Sequence, residues 1–198
     1  MTAGDDATLE FPDRAAWERW LREQHASSDG VWLKIARKGS GATTVTHADA
    51  LEEAIRYGWI DAQKRAHDGS PGEYWLQRFC PRGRRSKWSQ VNCAKATELI
   101  EQGRMTPAGV AQVEAAKRDG RWDAAYAPPS TVTVPEDFNT ALQANPAANE
   151  FFATLKSGER YSFLYRINDA KRPETRARRI RDYVAMLADH KTIHGRPS

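Results

Sequence analysis

The stretch FCPRGRRSKWSQVN, residues 79–92, gathers the side chains with the greatest chemical reach in this chain. Arg82, Arg84, Arg85 and Lys87 crowd around Pro81 with no carboxylate among them, and Ser86, Trp88, Ser89 and Asn92 are interleaved or follow. A guanidinium fork holds a carboxylate or phosphate through two parallel hydrogen bonds, and it stacks on indole once it leaves water. Ser89 stands where a helix should begin, and free backbone N–H groups at such a start favour an anion. Upstream, Trp59, Asp61, Arg65 and Arg78 fall on two neighbouring segments within reach of the same region. Together Trp59, Asp61, Arg65, Arg78, Arg82, Ser86, Trp88, Ser89 and Asn92 predict a polar pocket with aromatic walls for a small anionic ligand. The plainer alternative is structural: Asp61 neutralises Arg65 or Arg82, the tryptophans are core, and Ser89 is only a cap.

Charge distribution sharpens the choice of partner. The formal charge of +4 is modest, but residues 78–97 carry Arg78, Arg82, Arg84, Arg85, Lys87 and Lys95 without an acid. A second block, KRPETRARRIR at 171–181, sets six basic residues against Glu174. Two basic islands imply anions at particular places more than a general polyanion surface. The alternative is a nucleic-acid or protein interaction module using the basic blocks 78–95 and 171–181; nucleic acid is the second choice of partner, because the chain lacks a helix-turn-helix signal, an RNP-type strand, a GXXG loop and zinc-finger spacing. In the 171–181 block, Glu174 and Arg178 have the i,i+4 spacing of an exposed helical ion pair, so surface or interdomain structure is the simpler reading there.

Catalysis finds little support. The sequence holds no G-x-S-x-G, H-E-x-x-H, P-loop or G-x-G-x-x-G. Cys80 sits beside Pro81 and several arginines that favour a thiolate, yet no histidine is placed by sequence to serve it. If there is a reaction, Asp61 as acid or base with Arg82 orienting an anionic substrate is the least arbitrary assignment. Cys80 and Cys93, thirteen apart, fit neither a disulfide framework nor a zinc site, and His190 and His194 lack a third ligand. No metal or cofactor is expected.

These residues must be positioned by a framework that the patterning predicts. Asp13 caps a helix in which Trp17, Trp20 and Leu21 share a face. VWLKIAR at 31–37 alternates as a strand, with Val31, Leu33 and Ile35 on one side. Thr46 and Asp49 have capping-box spacing before a helix that ends at Gly58. WIDAQKR and YWLQRF form a hairpin around HDGSPGE. Helices follow from Ser89 and from Thr106-Pro107, and RWDAAYAPPSTVTV is an irregular crossing. Beyond it, EDFNTALQAN, AANEFFATLKSG, ERYSFLYRINDA and PETRARRIRDYVAMLADH read as short helices.

The expected architecture is therefore α+β. A mixed α/β region at 1–126, with a small mixed or antiparallel sheet, is followed by a helical carboxy-terminal region at 127–198 packed on it. With 198 residues and 40% hydrophobic composition, the chain needs no staple to fold. No apolar run reaches bilayer length, and the polar, acidic opening MTAGDDATLEF resembles neither signal nor transit peptide, which predicts a cytoplasmic protein without stable membrane insertion. Nothing in the pattern sets an oligomeric state.

Four motifs point beyond patterning: GWID at 58–61, FxPRxxxSxWSxxN at 79–92, GRMTPAG at 103–109 and ETRARRI at 174–180. In order and spacing they resemble the YdeI/OmpD-associated, or bacteriocin-protection, family, from about Phe11 to His190. Cys80 stands where that family more often has threonine or a similar small residue. The resemblance implies a role in protection against bacteriocins or envelope stress, and it brings no catalytic residue set. GRMTPAG also has an ordinary local reading: Gly103 ends a helix, Thr106 and Pro107 start the next, and Gly109 permits another backbone to come close.

Overall fold

The structure, a computed structural model, describes residues 7–195. The chain divides into two compact units. The first runs through Trp88 and resumes at Asn92–Ala125; the second comprises Ser89–Val91 and continues from Tyr126. Among the described residues there are four strands and eight helices, an α+β arrangement.

The sheet of the first unit has the order β1-β2-β4-β3. Strand β1 (Thr8–Leu9) runs parallel to β2 (Val31–Ala36), while β4 (Tyr74–Pro81) is antiparallel to both β2 and β3 (Trp59–Ala66), so the sheet is mixed. The β3–β4 hairpin matches the expected one, with a register shift between Asp61 and Gln63. Strand β1, only two residues long, carries no patterning that a sequence reading can use.

Helices α1 (Arg14–Gln24) and α2 (His47–Arg56) start where their caps predict: Asp13 accepts from the Ala16 N–H, and Thr46 from the Asp49 N–H. Their apolar stripes close over the sheet in a core that includes Trp17, Leu21, Leu33, Ile35, Ala54, Trp59 and Phe79. The buried indoles find acceptors in the backbone, Trp17 Nε1 donating to Ala50 O at 3.0 Å and Trp59 Nε1 to His25 O at 3.1 Å. On β2 the alternation is incomplete, because Trp32 on the other face is also buried. The Arg65 guanidinium lies 4.1 Å above its ring and supplies that cover.

A second core in this unit joins α2 to α3 (Gln90–Glu101) and α4 (Pro107–Arg118) through Ile55, Trp88, Ala96, Leu99, Val113 and Ala116. Here Gly109 acts as its motif predicts. A Cβ at that position would stand 2.9 Å from the Arg56 carbonyl carbon, 3.0 Å from Ile55 O, and closer still to Arg56 O. Thr106 completes the junction: it caps α4 at Gly109 N and donates its hydroxyl to Arg56 O at 2.6 Å.

The second unit contains α5 (Glu136–Gln143), α6 (Pro146–Thr154), α7 (Ser157–Asn168) and α8 (Pro173–Ala188) around Phe138, Leu142, Phe152, Phe163, Ile167 and Leu187. Two arginines of the basic block, Arg176 and Arg179, are engaged inside this unit. Arg176 grips Asp137 with Nε at 2.6 Å and Nη2 at 2.9 Å, and its Nη1 donates to Ile167 O. Arg179 donates to Arg166 O. The expected Glu174–Arg178 pair does not form; the ion pair made by this stretch is Arg176–Asp137 instead. Among the described residues no helix is long and apolar enough to cross a membrane.

Candidate functional site

The turn after β4 is built around Trp88. Its ring is buried, 1% exposed, and the Arg82 guanidinium lies over it at 3.7 Å. Arg82 is itself only 4% exposed and donates from Nη1 to Lys87 O at 3.1 Å, closing the turn that Pro81 begins. The Ser86 hydroxyl accepts from Gly83 N at 3.0 Å, tightening the same turn. Trp122 tilts against Trp88 with ring centroids 4.9 Å apart.

What brings Trp122 there is the end of α4. Asp119 N bonds to Ala115 O, Gly120 takes a φ of +78°, and Trp122 N returns to Ala116 O at 3.1 Å. A left-handed glycine with back-reaching N–H groups is a standard way to stop a helix and reverse the chain. Arg121 is thereby set beside the first turn, donating from Nη1 to Ser86 O at 2.9 Å. The result is a hollow of about 270 Å³ bounded by Arg82, Arg84, Gln112, Arg118, Asp119 and Arg121.

Four guanidinium groups face this hollow against one carboxylate. That carboxylate, Asp119, is bound by Arg121 at 2.8–2.9 Å, and the bond holds its pKa below the usual range. Arg84 and Arg118 make no ion pair among the described residues. The partial negative charge at the end of α4 opposes an anion here, but it amounts to about half an elementary charge against several full ones. The lining therefore carries a net positive charge.

The nine residues singled out from the sequence do not all meet. Arg82, Ser86 and Trp88 share the turn. Trp59 is core, in the cluster under the sheet. Asp61 faces neither Arg65 nor Arg82; its carboxylate lies 3.3 Å from His47 Nε2. Arg65 covers Trp32, and Arg78 donates to Asp29 O at 3.3 Å beside Gly30. Asn92 is buried on the first turn of α3, and Ser89 pairs through its backbone with Tyr126. Sequence reasoning missed Arg118, Arg121 and Gln112. They follow the first motif by twenty or more residues, and only the α4 reversal brings them back.

It missed a second charged cluster as well. Glu53 is 1% exposed and is shared by Arg14, at 2.6 Å, and Arg56. Its neighbour Glu52 takes Arg14, Lys95 and Arg104 at 2.6, 3.2 and 2.8 Å. Against the cost of burial, those hydrogen bonds hold the Glu52 carboxyl down to about 2. Glu53 has its oxygens committed, so this network fastens α1, α2, α3 and the start of α4, and leaves little capacity for a ligand. Burial pushes the Cys93 thiol up to about 11, which disfavours its thiolate.

Comparison with known proteins divides the chain along its length. Residues 9–112 match the family model described as a domain of unknown function, DUF8412, and residues 131–190 match that of the bacteriocin-protection, YdeI or OmpD-associated family. The chain belongs to the DUF8412 family, and its carboxy-terminal segment is of the YdeI/OmpD-associated kind. No curated protein and no solved structure matches it. Of the four motifs, ETRARRI falls in the YdeI/OmpD-associated segment. GWID, PRxxxSxWSxxN and GRMTPAG fall inside the 9–112 match, whose description names no function.

Proposed function

We propose that this chain is a cytoplasmic protein of bacteriocin or envelope-stress protection that works by binding a small anionic molecule, held in the hollow between the Arg82 turn and the end of α4. The observation that carries this reading is the convergence of Arg84, Arg118 and Arg121, with Arg82 as a wall, on one space whose single carboxylate is already neutralised. Arginine forks suit phosphate and carboxylate oxygens alike. The volume suits an anion of a few heavy atoms rather than a polymer. A nucleic-acid role is weaker, because Arg176 and Arg179 of the second basic block are spent on contacts within their own unit.

Isothermal titration of the full chain with inorganic phosphate, pyrophosphate and citrate tests the reading. At least one should bind saturably, and Arg118→Ala should weaken it about tenfold or more, the loss of one charge-assisted hydrogen bond. Arg118 is exposed and unpaired in the protein, so its removal should leave stability unchanged. Equal affinity in wild type and Arg118→Ala, or no binding by any of the three, overturns the assignment. Binding of single-stranded nucleic acid that weakens steeply with salt and is lost on charge reversal at Arg178 and Arg179 would replace it with the polymer reading.

A further inference from the structure

A second hollow, which shares no lining residue with the first, opens in the same unit. It lies between the loop that follows β2 and the first turn of α2, measures about 440 Å³, and includes Ile35, Arg37, Lys38, Val45, His47 and Trp75 in its lining. We propose that it binds a small aromatic carboxylate.

The sign of the ligand follows from the lining. Arg37 and Lys38 enter it, and no carboxylate side chain does. Arg37 is anchored by its Nε, which donates to Pro71 O at 2.8 Å, so the terminal guanidinium nitrogens are delivered to a fixed place. Shape and polarity follow from the walls. The Trp75 indole and the His47 imidazole meet at 45° with centroids 5.5 Å apart. Ile35, Ala36, Ala42 and Val45 make up an apolar share that a bare phosphate would leave unused. A flat ring against indole with a negative group at the loop cations uses both halves of the site, and the volume lies in the range of small-ligand pockets.

Asp61 finds its role here. Its carboxylate lies 3.3 Å from His47 Nε2 and helps hold the imidazole where it borders the Trp75 indole. The acid singled out from the sequence is thus a positioning residue for His47, acting at this hollow and not at the Arg82 turn.

The test is an NMR titration of the isotope-labelled full chain with benzoate, reading the His47 ring signals and the Lys38 and Thr43 amides. Benzoate should shift them saturably, inorganic phosphate should not, and Arg118→Ala should change nothing, which separates this site from the one proposed above. Lys38→Ala, on an exposed loop position that folding does not need, should weaken benzoate by about tenfold, the worth of one charge-assisted contact. Trp75→Leu should weaken it similarly. Absence of any shift, equal shifts with phosphate, or unchanged benzoate affinity in Lys38→Ala would each overturn the proposal.

Discussion

Substituting Gly109 by alanine probes the joint on which the arginine hollow is built. Glycine is needed there for space, since its φ is not among the positive values and the helix would accept alanine. The added methyl would meet backbone atoms of Arg56 and Ile55 at 3.0 Å or less, and backbone cannot rotate aside as a side chain end can. Relief requires α4 to back away from the end of α2 by several tenths of an ångström to about one. Overpacking of this kind costs about 1–3 kcal/mol. The same movement strains the two Thr106 bonds to Arg56 O, 2.6 Å from the hydroxyl and 3.2 Å from the N–H, each worth about 1 kcal/mol. Alanine returns about 1 kcal/mol of helix propensity. A net loss of about 2–4 kcal/mol is expected. All seven tryptophans precede residue 123, so their fluorescence in a urea titration reports the first unit alone. With a slope of about 2 kcal/mol per molar urea, the midpoint should fall by about 1–2 M. Gly103→Ala is the control: it has φ +65° and open space, and should cost only about 1–2 kcal/mol of left-handed strain. If Gly109→Ala proves no more destabilising than Gly103→Ala, the close approach of α2 and α4 is wrong, and with it the placement of Arg118.

Three further outcomes follow from the charges and the thiol. Glu52, held at about 2 in the folded chain against 4.5 ordinarily, binds its proton less tightly folded than unfolded. Stability from it is complete above about 4.5 and drains away as pH falls towards 2; Glu52→Gln should flatten that acid limb in pH-dependent urea titrations, the more so at low salt. Arg176→Ala should destabilise the second unit by about 1–2 kcal/mol, read by far-ultraviolet circular dichroism, because it removes a two-pronged grip on Asp137 and a bond to Ile167 O. In a Cys80→Ser background, Cys93 should react with a thiol reagent at pH 8 some hundredfold more slowly in native protein than in urea, since about one thiol in a thousand is ionised when its pKa is near 11. Fast native labelling would contradict its burial.

The elements were legible where local chemistry decides them. Thr46 with Asp49, Thr106 with Pro107, and Gly58 at φ +74° are local stop and start signals, and the helices obey them. The β3–β4 hairpin follows from two β-rich runs across a turn. Strand β1 escaped because two residues have no period, and it is held by pairing with Trp32 and Leu33 more than twenty residues on. Trp32 escaped for a related reason. Its cover is Arg65, a residue of a strand that does not even adjoin its own, and no alternation rule anticipates a cation as a lid.

The arginine hollow shows where such reading stops. A run of basic residues announces affinity for anions, but a site requires that the charges point inward, and pointing is set by tertiary structure. Within PRGRRSKW, Arg82 turned in to stack on Trp88, because an indole face is the nearest surface that can take a guanidinium out of water without an acid. Arg84 alone of the others in that run faces the hollow, and the remaining cations come from α4 and its reversal. Asp61 makes the complementary case. Its neighbours in sequence offered Arg65 and Arg82, both of which preferred indole faces, and this left the carboxylate to His47 at the head of α2. Trp32 and Trp88 thus do more than fill a core: by taking Arg65 and Arg82 onto their faces they leave Asp61 to pair with His47.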